Sequence, residues 1–136
     1  MKEKSYGLCP YLYVKGDYYI LLNKTSRFSE WNFFKGKTEA DETTIGTAIR
    51  EFYEETNVFV PKELIEVEKC FYQQNNRKDV GIFLVPWEKI DQAKIEPNVQ
   101  EIYQYEWVLV DDNVVLSKNQ RAIYKEIKKH LENLKR

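Results

Sequence analysis

The run Arg50-Glu51-Phe52-Tyr53-Glu54-Glu55 constrains this chain more than any other feature. On a helix, at about 100° per residue, Glu51, Glu54 and Glu55 fall within roughly 100° of arc. Three carboxylates on one helix face repel one another. A divalent cation relieves that repulsion, and hard oxygen donors suit Mg²⁺ or Mn²⁺. Mg²⁺ in particular is commonly held by a few carboxylates together with the phosphates of a substrate. The helix predicted over Thr43–Thr56 is therefore where function is sought.

The residues around the acids define the rest of that helix. Ile45, Ala48, Ile49 and Phe52 occupy a neighbouring arc, so one stripe can face a core while the acidic stripe faces a cleft. Thr43 is the expected N-cap, because its hydroxyl can accept from a free backbone N–H. Asn57 is the expected stop, since Asn tolerates the left-handed conformation of a helix end. Gly46 lies inside the helix and costs about 1 kcal/mol relative to Ala, with no evident reason in the sequence.

The spacing Gly36, Glu42, Arg50-Glu51, Glu54-Glu55, Asn57-Val58 resembles the Nudix box. That signature is the loop–helix–loop motif of hydrolases that cleave a nucleoside diphosphate linked to another group. Asn57 stands where the family has glycine, and otherwise every defined position matches. The resemblance implies an α/β/α sandwich with a mixed β-sheet between helices. It also implies a role for each matching position. Glu51, Glu54 and Glu55 would bind the divalent ions, joined by the carbonyl of Gly36. Arg50 would orient the glutamates, a role suited to a guanidinium that bridges carboxylates bidentately. Glu42 would support the loop.

Downstream, Glu101-Ile102 followed by Trp107 resembles the family's E-I-x-x-x-x-W pattern, in which the glutamate approaches the metals as a ligand or base. Glu96, on the same loop, competes for that role, and Glu101 is favoured on motif match. The catalytic set implied is Arg50, Glu51, Glu54, Glu55 and Glu101, and the metal set is Gly36, Glu51, Glu54, Glu55 and Glu101. A metal-assisted attack of water on phosphorus follows from such a set, with positioning and electrostatics supplying most of the catalysis.

Trp31-Asn32-Phe33-Phe34-Lys35-Gly36 resembles the W-x-F-P-K-G lead-in of dinucleoside polyphosphate hydrolases and messenger-RNA decapping enzymes, with Phe34 in place of proline. Arg27, Lys35 and Lys37 are candidates to contact phosphates. Tyr72 and Tyr103 are candidates to stack a base, although core packing competes for any of the ten Tyr, seven Phe and three Trp. The substrate expected is a dinucleoside polyphosphate such as diadenosine tetraphosphate. An RNA 5′ end or a (d)NTP is the alternative, and a catalytically silent nucleotide-binding module is the reading from another class. Three intact, mutually repelling acids argue against the silent module.

Composition agrees with these limits. A chain of 136 residues fits one domain, 1–136, with a real core. The net charge of −1 announces no DNA partner, although residues 118–136 are basic. Cys9 and Cys70 are too few and too separated for a disulfide framework or a zinc site, and suit a cytoplasmic protein. His130 is the single histidine, which leaves no Ser-His-Asp triad. No leader peptide or membrane span is expected. A monomer or a homodimer is equally compatible.

The remaining pattern is strands with one more helix. Strands are predicted over 5–14 and 18–23 around the turn Lys15-Gly16-Asp17, then near 31–34, 65–72, 80–85 and 102–110. Ser117-Lys118-Asn119-Gln120 reads as a capping box for a final helix whose apolar stripe is Ile123, Ile127, Leu131 and Leu134.

Overall fold

The computed structural model describes residues 2–90 and 95–135. Arg136, counted in the basic run above, lies outside the described residues. A six-stranded mixed sheet is built from β1 (Glu3–Val14), β2 (Asp17–Lys24), β3 (Phe34–Lys37), β4 (Cys70–Gln74), β5 (Lys78–Pro86) and β6 (Gln104–Leu109). Helix α1 (Thr44–Thr56) covers one face and α2 (Arg121–Leu134) the other. This is the sandwich expected from the sequence.

Alternation along the strands feeds both cores. Cys9, Ile20, Leu22, Phe33, Ile82 and Leu84 pack with Ile123, Ile127 and Leu131 of α2. Their immediate neighbours Leu8, Leu21, Phe34, Phe83 and Val85 pack with Ala48 and Phe52 of α1. The rings of Phe34 and Phe52 meet edge-on, 5.5 Å apart. Cys9 and Cys70 are free and belong to opposite cores, so they do not bridge.

β1 is the central strand. It runs parallel to β5 from Glu3 to Tyr11. Its other edge is divided, with Ser5–Leu8 antiparallel to β3 and Tyr11–Val14 antiparallel to β2. Pro10 falls in the gap between those two pairings. A proline has no N–H to give, so the gap is where a central strand can hold one.

Several boundaries differ from expectation. β3 begins at Phe34, because Trp31 and Asn32 form only isolated bridges to Leu116 and Asn23. β4 is Cys70–Gln74 instead of 65–72. Ahead of it, Glu66 donates one backbone bond to Leu84, and the chain then turns at Val67 and Glu68. Ser117 makes no side-chain capping bond. Gln120, the other half of that expected box, is buried and turned inward instead. Its Oε1 accepts from Phe33 N at 2.7 Å, and its Nε2 donates to Asn32 Oδ1 at 2.8 Å. Leu134 is 49% exposed at the end of α2, and Tyr124 takes a place on the buried stripe. Among the described residues no helix is long and apolar enough to cross a membrane.

Candidate active site on the acidic helix

Helix α1 starts and stops where its residues dictate. Thr43 Oγ1 accepts from Gly46 N at 3.1 Å, and Asn57 closes the helix in the left-handed region at φ 62°. A β-carbon at Gly46 would sit 3.0 Å from that capping hydroxyl, so the glycine leaves room for the cap.

Gly36 of β3 lies directly against Glu51. A β-carbon there would collide with both carboxylate oxygens, and Oε1 is the nearer. Strand and helix can approach this closely only with glycine at that position.

Arg50 organises the acids. Nε donates to Glu42 Oε2 at 2.6 Å. Nη1 donates to Glu51 Oε2 at 2.7 Å and to Glu54 Oε1 at 2.9 Å. Nη2 donates to Lys37 O at 2.8 Å and to Glu42 Oε1 at 3.0 Å. All five N–H donors of the guanidinium are used. Fork-to-carboxylate bonds of this kind are among the stronger hydrogen bonds in proteins. The Arg50 guanidinium holds the Glu42 carboxyl at about 2, well below the usual carboxylate range.

Glu55 is in the opposite condition. Its Oε1 is buried and has no hydrogen-bond partner among the described residues. Burial, with the charges of Glu51 and Glu101 nearby, pushes its carboxyl up to about 9. Burial also raises Glu51, against the pull of Arg50 and with the push of Glu54 and Glu101.

The charge of Glu101 bears on both helix acids. The loop carrying Glu101 is fastened to the end of α1. Glu96 N donates to Thr56 O at 2.8 Å and Asn98 N to Glu55 O at 3.0 Å. These bonds satisfy carbonyls that a helix terminus leaves open.

No three acids form a ready-made metal cage among the described residues. The donor set nonetheless suits a hard cation. Arg50 occupies one oxygen each of Glu51 and Glu54, and the Glu55 oxygen is buried without a partner. An ionised, unpartnered buried oxygen is costly, and a cation at that place would offset the cost.

The remaining sequence candidates separate. Lys35 alternates with Gly36 and pairs with Gly7 in β1. Burial lowers its ammonium, as does Lys78, against the fields of Glu55, Glu3 and Glu51. Lys37 turns its ammonium to Glu3 at 3.7 Å and gives the site only its carbonyl. Arg27 lies over the ring of Phe28 on an exposed loop, with no contact to the acids. Tyr72 bonds hydroxyl to hydroxyl with Tyr6 at 3.0 Å, and Tyr103 is 58% exposed beside Lys24.

One group was not legible in the sequence. A cleft of about 650 Å³ is lined by the amides of Gln73, Asn75, Asn76 and Asn119 and the cations Arg77, Lys78 and Lys118. No acid lines it. Gln73 builds its wall by accepting from Ala122 N at 3.0 Å and donating to Lys118 O at 3.3 Å. The only prior signal was the polar loop after Tyr72, because contact between β4 and the start of α2 is a tertiary fact.

Sheet, acidic helix and fastened loop can be set beside known proteins. The NUDIX domain family matches residues 9–131, and the chain belongs to that family. A MutT structure from work on Aliivibrio salmonicida and Vibrio cholerae superposes with a TM-score of 0.73 at 17% identity, covering 96% of this chain and 99% of the other. A Caenorhabditis elegans Ap4A hydrolase in a binary complex superposes with a TM-score of 0.72 at 20% identity, covering 96% and 98%. The mRNA decapping complex subunit 2 of Schizosaccharomyces pombe is 29% identical over 100 residues, 74% of this chain. The match spans only 13% of that subunit's length.

Proposed function

We propose that the chain is a metal-dependent pyrophosphohydrolase whose substrate is a nucleoside diphosphate linked to another group, and specifically a dinucleoside polyphosphate such as diadenosine tetraphosphate. The observation that carries the reading is the unpartnered, buried Oε1 of Glu55, set among Glu51, Glu54 and Glu101. Those four acids, with the carbonyl of Gly36, would hold Mg²⁺ or Mn²⁺. A divalent ion supplies Lewis acidity toward water and phosphate oxygens.

The chain's own residues supply the rest. Arg50 fixes Glu51 and Glu54 without occupying all of their oxygens. One of the carboxylates takes the proton of the attacking water. Lys35 and Lys78 favour a polyphosphate lying between the acids and the amide-lined cleft. The amides of Asn76 and Asn119 can hydrogen-bond the edge of a base, since each carries both donors and an acceptor.

The same acid-free cleft favours one second reading, the 5′ end of an RNA. The likeness to a decapping subunit supports it.

The experiment is a substrate panel with Mg²⁺: diadenosine tetraphosphate, the dNTPs, ADP-ribose, NADH and 5′-triphosphate RNA. The expected result is the highest kcat/KM on the dinucleoside polyphosphate. A clear preference for one dNTP over both it and RNA would overturn the substrate. No turnover of any member would overturn the enzyme reading in favour of a silent binding module.

A further inference from the structure

Thr47 has no place in the site as described, yet it is fully buried directly beneath it. A buried hydroxyl needs partners. Thr47 Oγ1 donates to Glu42 Oε1 at 2.9 Å, and Thr38 Oγ1 lies 2.7 Å away. A hydroxyl carries a single proton. With that proton committed to the carboxylate, Thr38 must donate to Thr47. The order is therefore fixed as Thr38, Thr47, Glu42, Arg50, and then Glu51 and Glu54.

Glu42 is filled by this arrangement. Oε1 receives Thr47, Glu39 N at 2.8 Å and Arg50 Nη2, while Oε2 receives Arg50 Nε. The backbone bond from Glu39 is exposed, and the two bonds from Arg50 come from a side chain that is 25% exposed. Thr47 is the only side chain that holds the carboxylate from the buried helix face, among the described residues. Without it the carboxylate is held only by Arg50 and by the exposed amide of Glu39, and the Glu42–Arg50 pair can shift together. Any such shift moves the Arg50 donors that serve Glu51 and Glu54.

We propose that Thr47 is a positioning residue for the acidic site, its buried hydroxyl anchoring the Glu42 carboxylate and through Arg50 the placement of Glu51 and Glu54. The proposal rests on the reading of α1 as the metal-holding helix. It concerns a residue that touches neither metal nor substrate.

The test compares Thr47→Val, which keeps the shape and removes the hydroxyl, with Thr47→Ser, which keeps the hydroxyl. Three quantities are measured: the Arg50 Nε–H signal and its solvent exchange by ¹⁵N NMR in metal-free protein, Mn²⁺ affinity by calorimetry without substrate, and kcat and KM on the best substrate of the wild type. In Thr47→Val the Arg50 signal is expected to move and exchange faster. Its Mn²⁺ affinity and kcat are expected to fall roughly threefold to tenfold with KM little changed, at or below the lower edge of what groups holding metal ligands usually contribute. Thr47→Ser is expected to restore all three.

A folded Thr47→Val with wild-type values throughout overturns the proposal. So does a Thr47→Ser protein that behaves like Thr47→Val, because the methyl group would then be the cause. Should Thr47→Val not fold, Thr38→Val removes the outer hydroxyl of the same chain. A smaller shift of the Arg50 signal in the same direction is expected there, and no shift overturns the proposal. A wild-type protein that binds no Mn²⁺ and turns over nothing overturns the metal reading alone, and the metal-free Arg50 signals then decide the role of Thr47.

Discussion

The backbone carbonyl of Glu55 accepts the amide N–H of Asn98 at 3.0 Å. The helix that presents three acids thereby also anchors the loop that presents Glu101, three residues further on. Glu55 joins the two parts of the site twice, through its main chain and through a carboxylate that faces Glu101.

That carboxylate sets the pH dependence of metal-free stability. Its pKa in the fold is about 9, above the ordinary 4.5. Between these values the folded protein keeps a proton that the unfolded chain has lost. Stability from this group is full below the lower value and is lost as pH rises through the upper one. Glu55→Gln is always neutral and should flatten that slope. In EDTA at about pH 8, its melting temperature should exceed that of the wild type. A wild-type melting curve that does not fall between mildly acid and alkaline pH would refute the assignment.

Metal should reverse the order. A cation that binds the folded state alone stabilises it by mass action, by about 2.7 kcal/mol at a hundredfold excess over Kd. Mg²⁺ or Mn²⁺ should therefore raise the melting temperature of the wild type and leave Glu55→Gln nearly unmoved. Turnover should vanish in EDTA and return with the ion. Full turnover in the presence of chelator would remove the metal from the account.

Glu54→Gln keeps shape and removes one charge from the acidic face. Glu54 is half-exposed and bonds only to Arg50 among the described residues, so the fold should survive. We expect kcat to drop at least about a hundredfold, consistent with loss of a group acting in the transition state. Near-normal turnover by the folded variant would exclude Glu54 from the reaction.

Arg50→Lys conserves charge but replaces a five-donor fork by three donors on a compact ammonium. Glu42, Glu51, Glu54 and the Lys37 carbonyl cannot all be served. A loss of about 2 kcal/mol in stability is expected from bonds left unmade. The acid limb should also move, because Glu42 would no longer be held near 2 and would take up its proton at higher pH. Stability from that depressed carboxyl is present above the ordinary 4.5 and disappears as pH falls through its folded value. Unchanged acid denaturation would show that Arg50 does not set Glu42.

The site was legible in the sequence where a residue acts through its own neighbours. Thr43 and Asn57 cap α1 as their chemistry requires, and the spacing from Glu51 to Glu55 places the acids together. Legibility failed where distant segments decide. Ile65 to Lys69 has a strand-like composition, but β5 offers it only the Leu84 carbonyl before the chain turns. Ser117 and Gln120 have the letters of a capping box, yet Gln120 is drawn into the core by the unpaired amide of Phe33. Lys37 stands beside Gly36 in sequence, but alternation turns its side chain to Glu3.

The divided edge of β1 bears on how the chain assembles. The strand that ends up in the middle of the sheet precedes the other five in the chain, and its parallel neighbour ends at Pro86. The hairpin partner β2 and the antiparallel strand β3 arrive early. The β1–β5 pairing must instead close a loop of more than sixty residues, the slow kind of contact in folding. A nascent chain that has just released α1 from the ribosome therefore already carries the three helix acids but not Glu101, while one edge of β1 is still open to any extended peptide that passes. Pulse-labelled hydrogen exchange during refolding should show the amides of β2 protected before those of β5.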